Sequence, residues 1–222
     1  MLLVDKPAGM TSHDVVQHVR RIYGERSIGH LGTLDPFATG LLVLLLGRAT
    51  RLATFLDTEP KVYEAGIRFG AETDTDDFTG TVIRTALPPD KGNVRSAVKA
   101  LTGTISQVPP AYSAKRVDGT RAYDAARRGE PLELAAVEVT VHSWDLLGEQ
   151  GDDSLSVVIT CSGGTYIRAL ARDLGRLTSS AAHLDSLRRT RMGVFDVRDA
   201  ATLDALVDNP ERVRPLRVVA DA

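Results

Sequence analysis

The chain has 222 residues, of which 43% are hydrophobic and 25% charged, so a disordered or fibrous protein is excluded. The formal net charge of -2 does not by itself indicate a polyanionic partner. The single cysteine, Cys161, excludes an internal disulfide and a multi-cysteine metal site. Residues 41–46, the longest apolar run, are too few for a membrane-spanning helix, which needs about 20. No secretory signal is visible, and we expect a soluble, cytoplasmic protein.

Basic residues are concentrated in two segments although the whole chain is nearly neutral. Residues 161–198 contain seven arginines and three aspartates, and residues 109–128 contain five basic and two acidic residues. A protein with one basic face for binding phosphates needs such a distribution. Solvated surface arginines would give the same counts, so the alternative stays open.

Helix and strand patterns alternate along the chain without an internal repeat, which predicts an α+β fold. The first predicted helix is capped by Thr11 or Ser12 and ends at Gly24. Its apolar stripe consists of Val15, Val16, Val19 and Ile22.

The middle of the chain is predicted to contain four strands and two helices. Tyr63 faces inward in the second strand, because residues 62–69 alternate between apolar and polar positions. The predicted strands cover residues 41–46, 62–69, 137–144 and 155–161, with a short helix near 49–55 and a helix that is capped by Asn93 and stopped by Gly103.

A further helix follows the turn at residues 162–165. Arg168, Arg172 and Arg176 recur at every fourth position along one of its faces, which predicts that the helix presents guanidinium groups. The last 22 residues, 201–222, are weakly patterned and predict a frayed tail or the stub of something longer.

The segment GHLGTLDPFATG, residues 29–40, has the strongest chemical signal. Three of its 12 residues are glycines, which permit positive φ, and Pro36 keeps Asp35 out of the helical region. Such a loop can aim one carboxylate. From these residues alone, an Asp-Pro turn before a strand is the favoured interpretation.

Residues 29–40 resemble the catalytic-loop signature of the TruB family of tRNA pseudouridine synthases. Five other segments resemble the family in the same order, and together they cover most of residues 2–198: 2–16, 61–80, 107–129, 161–175 and 183–195. The resemblance implies a catalytic domain at residues 1–198. It also implies a C-terminal tail or stub at 199–222, without a complete C-terminal RNA-binding domain.

The family resemblance also implies a fold and a set of site residues. The fold would be α+β, with a bent, mixed, mostly antiparallel sheet flanked by helices around a central catalytic cleft. Asp35 would be the catalytic carboxylate. The substrate-binding residues would be His30, which helps to open the RNA loop, Tyr63 beside the target base, Arg168 paired with the aspartate, and Leu187 near the base. RNA-backbone contacts would come from Lys6, Lys115, Arg116, Arg172, Arg188 and Arg189.

The implied reaction isomerises uridine to pseudouridine in the T loop of tRNA, at position 55. It breaks the N1–C1′ bond, turns the base and joins C5 to C1′. The carboxylate would act as a nucleophile or by forming a glycal, and the residues leave both routes open. The chain has no P-loop, dinucleotide fingerprint or metal-ligand cluster, so no cofactor or metal is expected. The expected partner is the tRNA T arm, bound by a monomer without an obligate protein partner.

Three alternatives remain open at this stage. RNA-guided relatives that modify ribosomal RNA share a similar aspartate loop, and a tRNA-folding factor would not need Asp35. A glycoside hydrolase would need a second carboxylate, for which Asp74, Asp76 and Asp77 are available.

Overall fold

The structure is a computed structural model that describes residues 1–113, 115–117, 120–130, 132–149 and 153–212. The chain forms two compact units. The first unit combines residues 1–63 with the segment that starts at Arg188, and the second unit is continuous from Glu64 to Leu187.

Strands dominate the described part of the chain. The strands are β1 (Leu2–Lys6), β2 (Ile28–Leu31), β3 (Thr39–Leu46), β4 (Lys61–Phe69), β5 (Ala71–Thr73), β6 (Val82–Thr85), β7 (Gly103–Gln107), β8 (Arg116–Val117), β9 (Thr120–Arg121), β10 (Val137–Glu149), β11 (Ser154–Cys161), β12 (Ala182–Met192) and β13 (Phe195–Asp196). The helices are α1 (Ser12–Tyr23), α2 (Lys91–Ala100), α3 (Ala122–Arg127), α4 (Ile167–Leu177) and α5 (Leu203–Asp208).

Strand β3 is the centre of the sheet in the first unit. It pairs antiparallel with β1 and β2, and parallel with β12 through Arg188 and Arg189. Helices α1 and α5 cover one face, where Val15, Val19 and Leu206 are buried. The opposite face is buried by a second apolar cluster. Because both faces are covered, β3 is a continuous apolar run rather than an alternating one.

The segment after residue 198, for which the sequence predicted a tail or stub, begins with packed structure. The Ala201 amide donates to the Leu3 carbonyl, and the Asp5 amide donates to the Ala201 carbonyl. Helix α5 then buries Leu203 and Leu206 in the same cluster as α1. Residues 213–222 of the predicted tail lie outside the described residues.

The second unit is built on antiparallel strands. The strand order is β12-β4-β11-β10-β7, with β10 antiparallel to both β11 and β7. In β4 the predicted alternation is confirmed, since Ala65, Ile67 and Phe69 are buried while Glu64 and Arg68 are exposed. Helices α2 and α4 contact each other.

The mixed, mostly antiparallel sheet and its helices confirm the α+β prediction. One predicted cap is wrong: the α2 helix starts at Lys91 and is capped by the Asp90 side chain, which accepts from the Gly92 amide, rather than by Asn93. The predicted short helix near 49–55 is a 3-10 helix at Gly47–Leu52. No described helix combines the length and apolarity needed to cross a membrane. The bent sheet and central cleft stay predictions.

Candidate active site

Residues 32–38, here called the aspartate loop, connect β2 to β3 and carry Asp35. Leu34 and Ala38 are buried on either side of it, while Asp35 itself is half-buried. The Ala38 amide donates to the Asp35 carbonyl at 3.1 Å, and the Gly9 amide donates to the Pro36 carbonyl at 2.8 Å. Two apolar anchors and a tight turn thus leave the Asp35 carboxylate partly accessible.

Helix α1 holds the loop through Ser12, a residue that the sequence predicted only as a possible cap. The Ser12 hydroxyl donates to the Leu34 carbonyl at 3.2 Å and accepts from the Leu34 amide at 2.9 Å. Thr11 is the actual cap, with a capping box that involves Asp14. Ser12 is therefore free to bind the backbone directly before Asp35.

Lys6 holds the other side of the loop. Its side chain is fully buried, and the ammonium donates to the carbonyls of Pro7 (2.9 Å), Met10 (2.6 Å) and Pro36 (3.2 Å). Burial lowers the pKa of Lys6 to about 8, although the negative charge of Asp35 opposes that shift. The sequence predicted an RNA-backbone contact for Lys6, whereas its donors face protein carbonyls.

His30 lies in β2, opposite Leu44 of β3, and is half-buried. Its Nδ1 atom is buried and has no hydrogen-bond partner within the described part of the chain. Burial lowers the pKa of His30, and the positive charges of Arg189 and His13 lower it further. We therefore expect a neutral imidazole at neutral pH, which is easier to insert into a base stack than an imidazolium ion.

The other predicted substrate-binding residues divide between the two units. Tyr63 is buried in β4. It belongs to the first unit, as do Asp35 and His30. Arg168 and Leu187 belong to the second unit, where both are buried. The inward orientation predicted for Tyr63 agrees with its burial.

Arg168 is held by three groups of the second unit. It donates to the carbonyls of Thr75 (2.8 Å) and Tyr112 (2.9 Å), and it lies 3.7 Å from the Asp77 carboxylate. Asp77 in turn accepts from the backbone and side chain of Thr79. These contacts fix the orientation of the guanidinium in a buried environment.

Arg172 and Arg176 continue this pattern along α4. Arg172 donates to Asp76 at 2.9 Å, and Arg176 and Arg84 both donate to Glu72. Burial raises the pKa of Asp76 to about 6, against the opposing positive charges of the arginines. Burial would also raise the pKa of Glu72, but hydrogen bonds from Arg176 and Arg84 outweigh it, so that pKa is lowered.

Asp76 and Asp77, two of the three aspartates that the sequence left without a place, therefore pair with arginines of α4, whereas Asp74 accepts a hydrogen bond from the Thr81 amide. Arg168 and Arg172 are 4% and 6% exposed, so these two guanidinium groups of α4 lie in the protein interior. Spacing at every fourth residue was visible in the sequence. The carboxylates of Asp77, Asp76 and Glu72 lie more than 90 residues away along the chain from their arginine partners, so no local pattern indicates the pairing.

The predicted RNA-backbone contacts have different environments. Lys115 is exposed, and Arg188 is partly exposed and pairs with Asp5 at 2.7 Å. The side chains of Lys6, Arg172 and Arg189 are buried and donate to acceptors of the protein. Because their donors are occupied, direct contacts to RNA phosphates are disfavoured. The Arg116 side chain lies outside the described residues.

Metal-ligating residues are dispersed. Among the described residues, no group of three or more histidine, cysteine, aspartate or glutamate side chains is arranged to hold a metal ion.

Comparison with known proteins identifies the family. The family model described as TruB family pseudouridylate synthase (N terminal domain) matches residues 20–167. The chain belongs to the TruB family. A second model, the tRNA pseudouridylate synthase B C-terminal domain, matches residues 168–216.

Individual TruB-family proteins are similar over nearly the whole chain. A tRNA pseudouridine synthase B from Thermobifida fusca is 52% identical over 215 residues, which cover 93% of this chain and 73% of the relative. The protein of the same name from Aromatoleum aromaticum is 50% identical, with 96% and 70% covered.

Two solved structures have the same fold. The chain matches a Cbf5-Nop10-Gar1 complex with a TM-score of 0.72 and 28% identity over 93% of its length. It also matches an H/ACA RNP bound to a substrate RNA that contains 2′-deoxyuridine, with a TM-score of 0.68 and 27% identity over 93%. The chain spans about half the length of these two chains, 53% and 52%. These similarities confirm the predicted fold class.

Proposed function

We propose that this TruB-family chain isomerises uridine to pseudouridine in tRNA, at position 55 of the T loop. The observation that carries the proposal is the aspartate loop with its half-buried Asp35. Ser12 binds the loop backbone before Asp35, and Lys6 binds it after Asp35. Relatives about 50% identical that are named tRNA pseudouridine synthase B support the tRNA substrate.

Asp35 is the proposed catalytic residue. Breaking the glycosidic bond leaves an electron-poor C1′, which an adjacent carboxylate stabilises by adding to it or by removing a neighbouring proton. The base then turns and C5 bonds to C1′; the C5 proton is released to solvent, N1 takes up a proton, and in the glycal route the proton taken from the sugar is returned, so no external group donor is needed. The negative charge of Asp35 attracts the buried ammonium of Lys6 and favours the charged form of that lysine.

Substrate binding is assigned to His30, Tyr63, Arg168 and Leu187. Flipping a uridine out of its stack costs a few kcal/mol, and stacking on an aromatic ring recovers about 1–3 kcal/mol. Tyr63 would supply that ring, Leu187 an apolar contact to the base, and neutral His30 a filler for the vacated position in the RNA. Arg168 is proposed as the arginine that pairs with Asp35.

RNA-backbone binding is assigned to Lys115, Arg116 and Arg188. Lys115 and Arg188 can reach solvent, as phosphate contacts require. The proposed catalytic segment is residues 1–198; within the predicted tail or stub at 199–222, helix α5 packs into the core of the first unit. The protein would act in the cytoplasm as a monomer on the tRNA T arm, without an obligate protein partner.

The test is tritium release from a T-arm hairpin that carries 5-tritiated uridine, without metal or nucleotide. We expect release by the wild type and a loss of about 10⁴-fold or more in Asp35→Asn, with hairpin binding retained. Asp204→Asn is the matched control, because it makes the same change at an exposed carboxylate of α5 and should leave the rate unchanged.

A wild type that binds the hairpin but releases no tritium would rule out this substrate. The similarity to the Cbf5 complex would then favour an RNA-guided activity on another RNA. Equal rates of tritium release in wild type and Asp35→Asn would instead exclude Asp35 as the catalytic carboxylate. Opening of the RNA loop without isomerisation would indicate a tRNA-folding factor.

A further inference from the structure

Arg189 connects the two ends of the aspartate loop. It lies in β12, is 1% exposed, and faces backbone carbonyls from both sides of Asp35. Nε donates to the Leu41 carbonyl at 2.9 Å, after the loop. The two terminal nitrogens donate to the Gly32 carbonyl at 3.0 Å and the Thr33 carbonyl at 3.5 Å, before Asp35. One planar group thus spans the loop entrance and exit.

The main chain of Arg189 also presses against the end of the loop. In the parallel pairing of β12 with β3, Arg189 is the partner of Gly40. A Cβ atom at Gly40 would lie 2.3 Å from the Arg189 carbonyl oxygen and 2.9 Å from its nitrogen. Gly40 also has φ +101°, so no other residue fits there without moving β12 or the loop. Backbone and side chain of Arg189 therefore restrain the same segment.

The charge of Arg189 acts on the site as well. A buried guanidinium is costly unless its fixed donors have acceptors, and here the carbonyls of Gly32, Thr33 and Leu41 accept from it. Moving the loop would therefore take the Gly32 and Thr33 carbonyls away from a buried cation. The same positive charge lowers the pKa of His30 and contributes to lowering that of Lys6.

We propose that Arg189 is a positioning residue, which braces the aspartate loop so that Asp35 points at the reacting uridine. This inference rests on the proposed synthase function and replaces the phosphate contact that the sequence predicted for Arg189. A brace contributes to the chemical step and little to RNA affinity, because the side chain is buried and its donors are already occupied by protein.

Two variants and two readouts test the brace. Arg189→Gln removes the charge and the fork, whereas Arg189→Lys keeps the charge but cannot span both ends of the loop. Single-turnover tritium release should fall by about 100-fold in Arg189→Gln and by a smaller factor in Arg189→Lys, because a displacement of about 1 Å costs rates of this size. The Kd for the hairpin should change by less than about threefold.

Hydrogen exchange reports on the loop without requiring activity. The Leu34 and Ala38 amides, which are bonded to Ser12 and to the Asp35 carbonyl, should exchange faster in both variants, while amides in α1 keep their wild-type rates. Arg198→Gln is the control, since it makes the same substitution at an exposed arginine that pairs only with Asp196 among the described residues. We expect wild-type rates and exchange in this control.

Several results would overturn the proposal. The aspartate loop needs no brace if Arg189→Gln has wild-type hydrogen exchange in the loop and a tritium-release rate within about threefold of the wild-type rate. A weaker hairpin affinity with an unchanged single-turnover rate would restore the phosphate contact. If Arg189→Gln does not fold, Arg189→Lys decides by the same criteria. If the wild type itself is inactive, the proposed function fails, and hydrogen exchange alone decides whether Arg189 braces the loop.

Discussion

Lys6 illustrates why a charge in a sequence does not reveal its partner. Its ammonium has three donors and three carbonyl acceptors, so backbone carbonyls satisfy the buried cation. Replacing it by methionine keeps the length and apolar stem of the side chain but leaves these carbonyls without their donor. We expect Lys6→Met to lower the free energy of unfolding by about 3 kcal/mol, measured by urea denaturation. The exposed Lys99→Met should change it by less than about 0.5 kcal/mol.

The destabilisation by Lys6→Met should depend on pH in a defined direction. Folding lowers the pKa of Lys6 from 10.5 to about 8, so between these values the unfolded chain binds more protons at this group than the folded chain does. Wild-type stability therefore gains from a rise in pH across this window, and Lys6→Met lacks that gain. The difference in stability between the two proteins should widen from pH 8 to 10.5. A constant difference would mean that Lys6 keeps its ordinary pKa in the folded state.

At the scale of elements, two adjacent hydroxyl groups at the start of helix α1 have different contacts: one caps the helix and the other binds the aspartate loop. Thr11 caps the helix, and Ser12 binds the backbone of Leu34 next to Asp35. Both Thr11→Ala and Ser12→Ala should lower the free energy of unfolding by about 1 kcal/mol. Only Ser12→Ala should also slow single-turnover tritium release, by about tenfold, because it frees the loop. Equal rates in both variants would show that α1 does not position Asp35.

Helices and strands were predicted correctly from the sequence where burial follows a local pattern, either a helical period or a continuous apolar run. The stripe of α1 faces the core at helical spacing, and β3 is a continuous apolar run because it is covered on both faces. Strand β12 was not predicted, since its sequence contains several arginines and no regular alternation. Its buried Arg189 is satisfied by carbonyls about 150 residues away, a long-range contact that a local pattern cannot carry.

The same distinction applies to the candidate site. The motif around Asp35 identified the loop, and the family resemblance supplied roles for His30 and Tyr63. The roles of Ser12 and Arg189 were missed, because both act by hydrogen bonds to backbone carbonyls or amides, which every residue carries and no sequence motif marks. Side-chain partners in α4 were missed for the related reason that ion pairs join distant segments.

At the scale of the whole molecule, the first unit is assembled from both ends of the chain. Residues 1–63 supply β1, β2, β3 and α1, and the segment from Arg188 onward supplies the end of β12 and α5. The apolar cluster that packs against α1, the helix whose Ser12 binds the aspartate loop, therefore includes Leu203 and Leu206, which the sequence predicted to lie in a tail. Stability of this unit should consequently depend on residues about 170 positions after Asp35.

Leu206→Ala tests that dependence. Leu206 is fully buried in α5, so its truncation removes apolar contacts and leaves a cavity next to α1, at a cost of about 2–4 kcal/mol in the free energy of unfolding. The neighbouring Val207 is 60% exposed, and Val207→Ala should cost less than about 0.5 kcal/mol. Urea denaturation of the two variants makes the comparison within one helix. Similar small effects would mean that α5 contributes little to the first unit, whereas a large effect confined to Leu206→Ala would establish the segment after residue 198 as part of the core that carries Asp35.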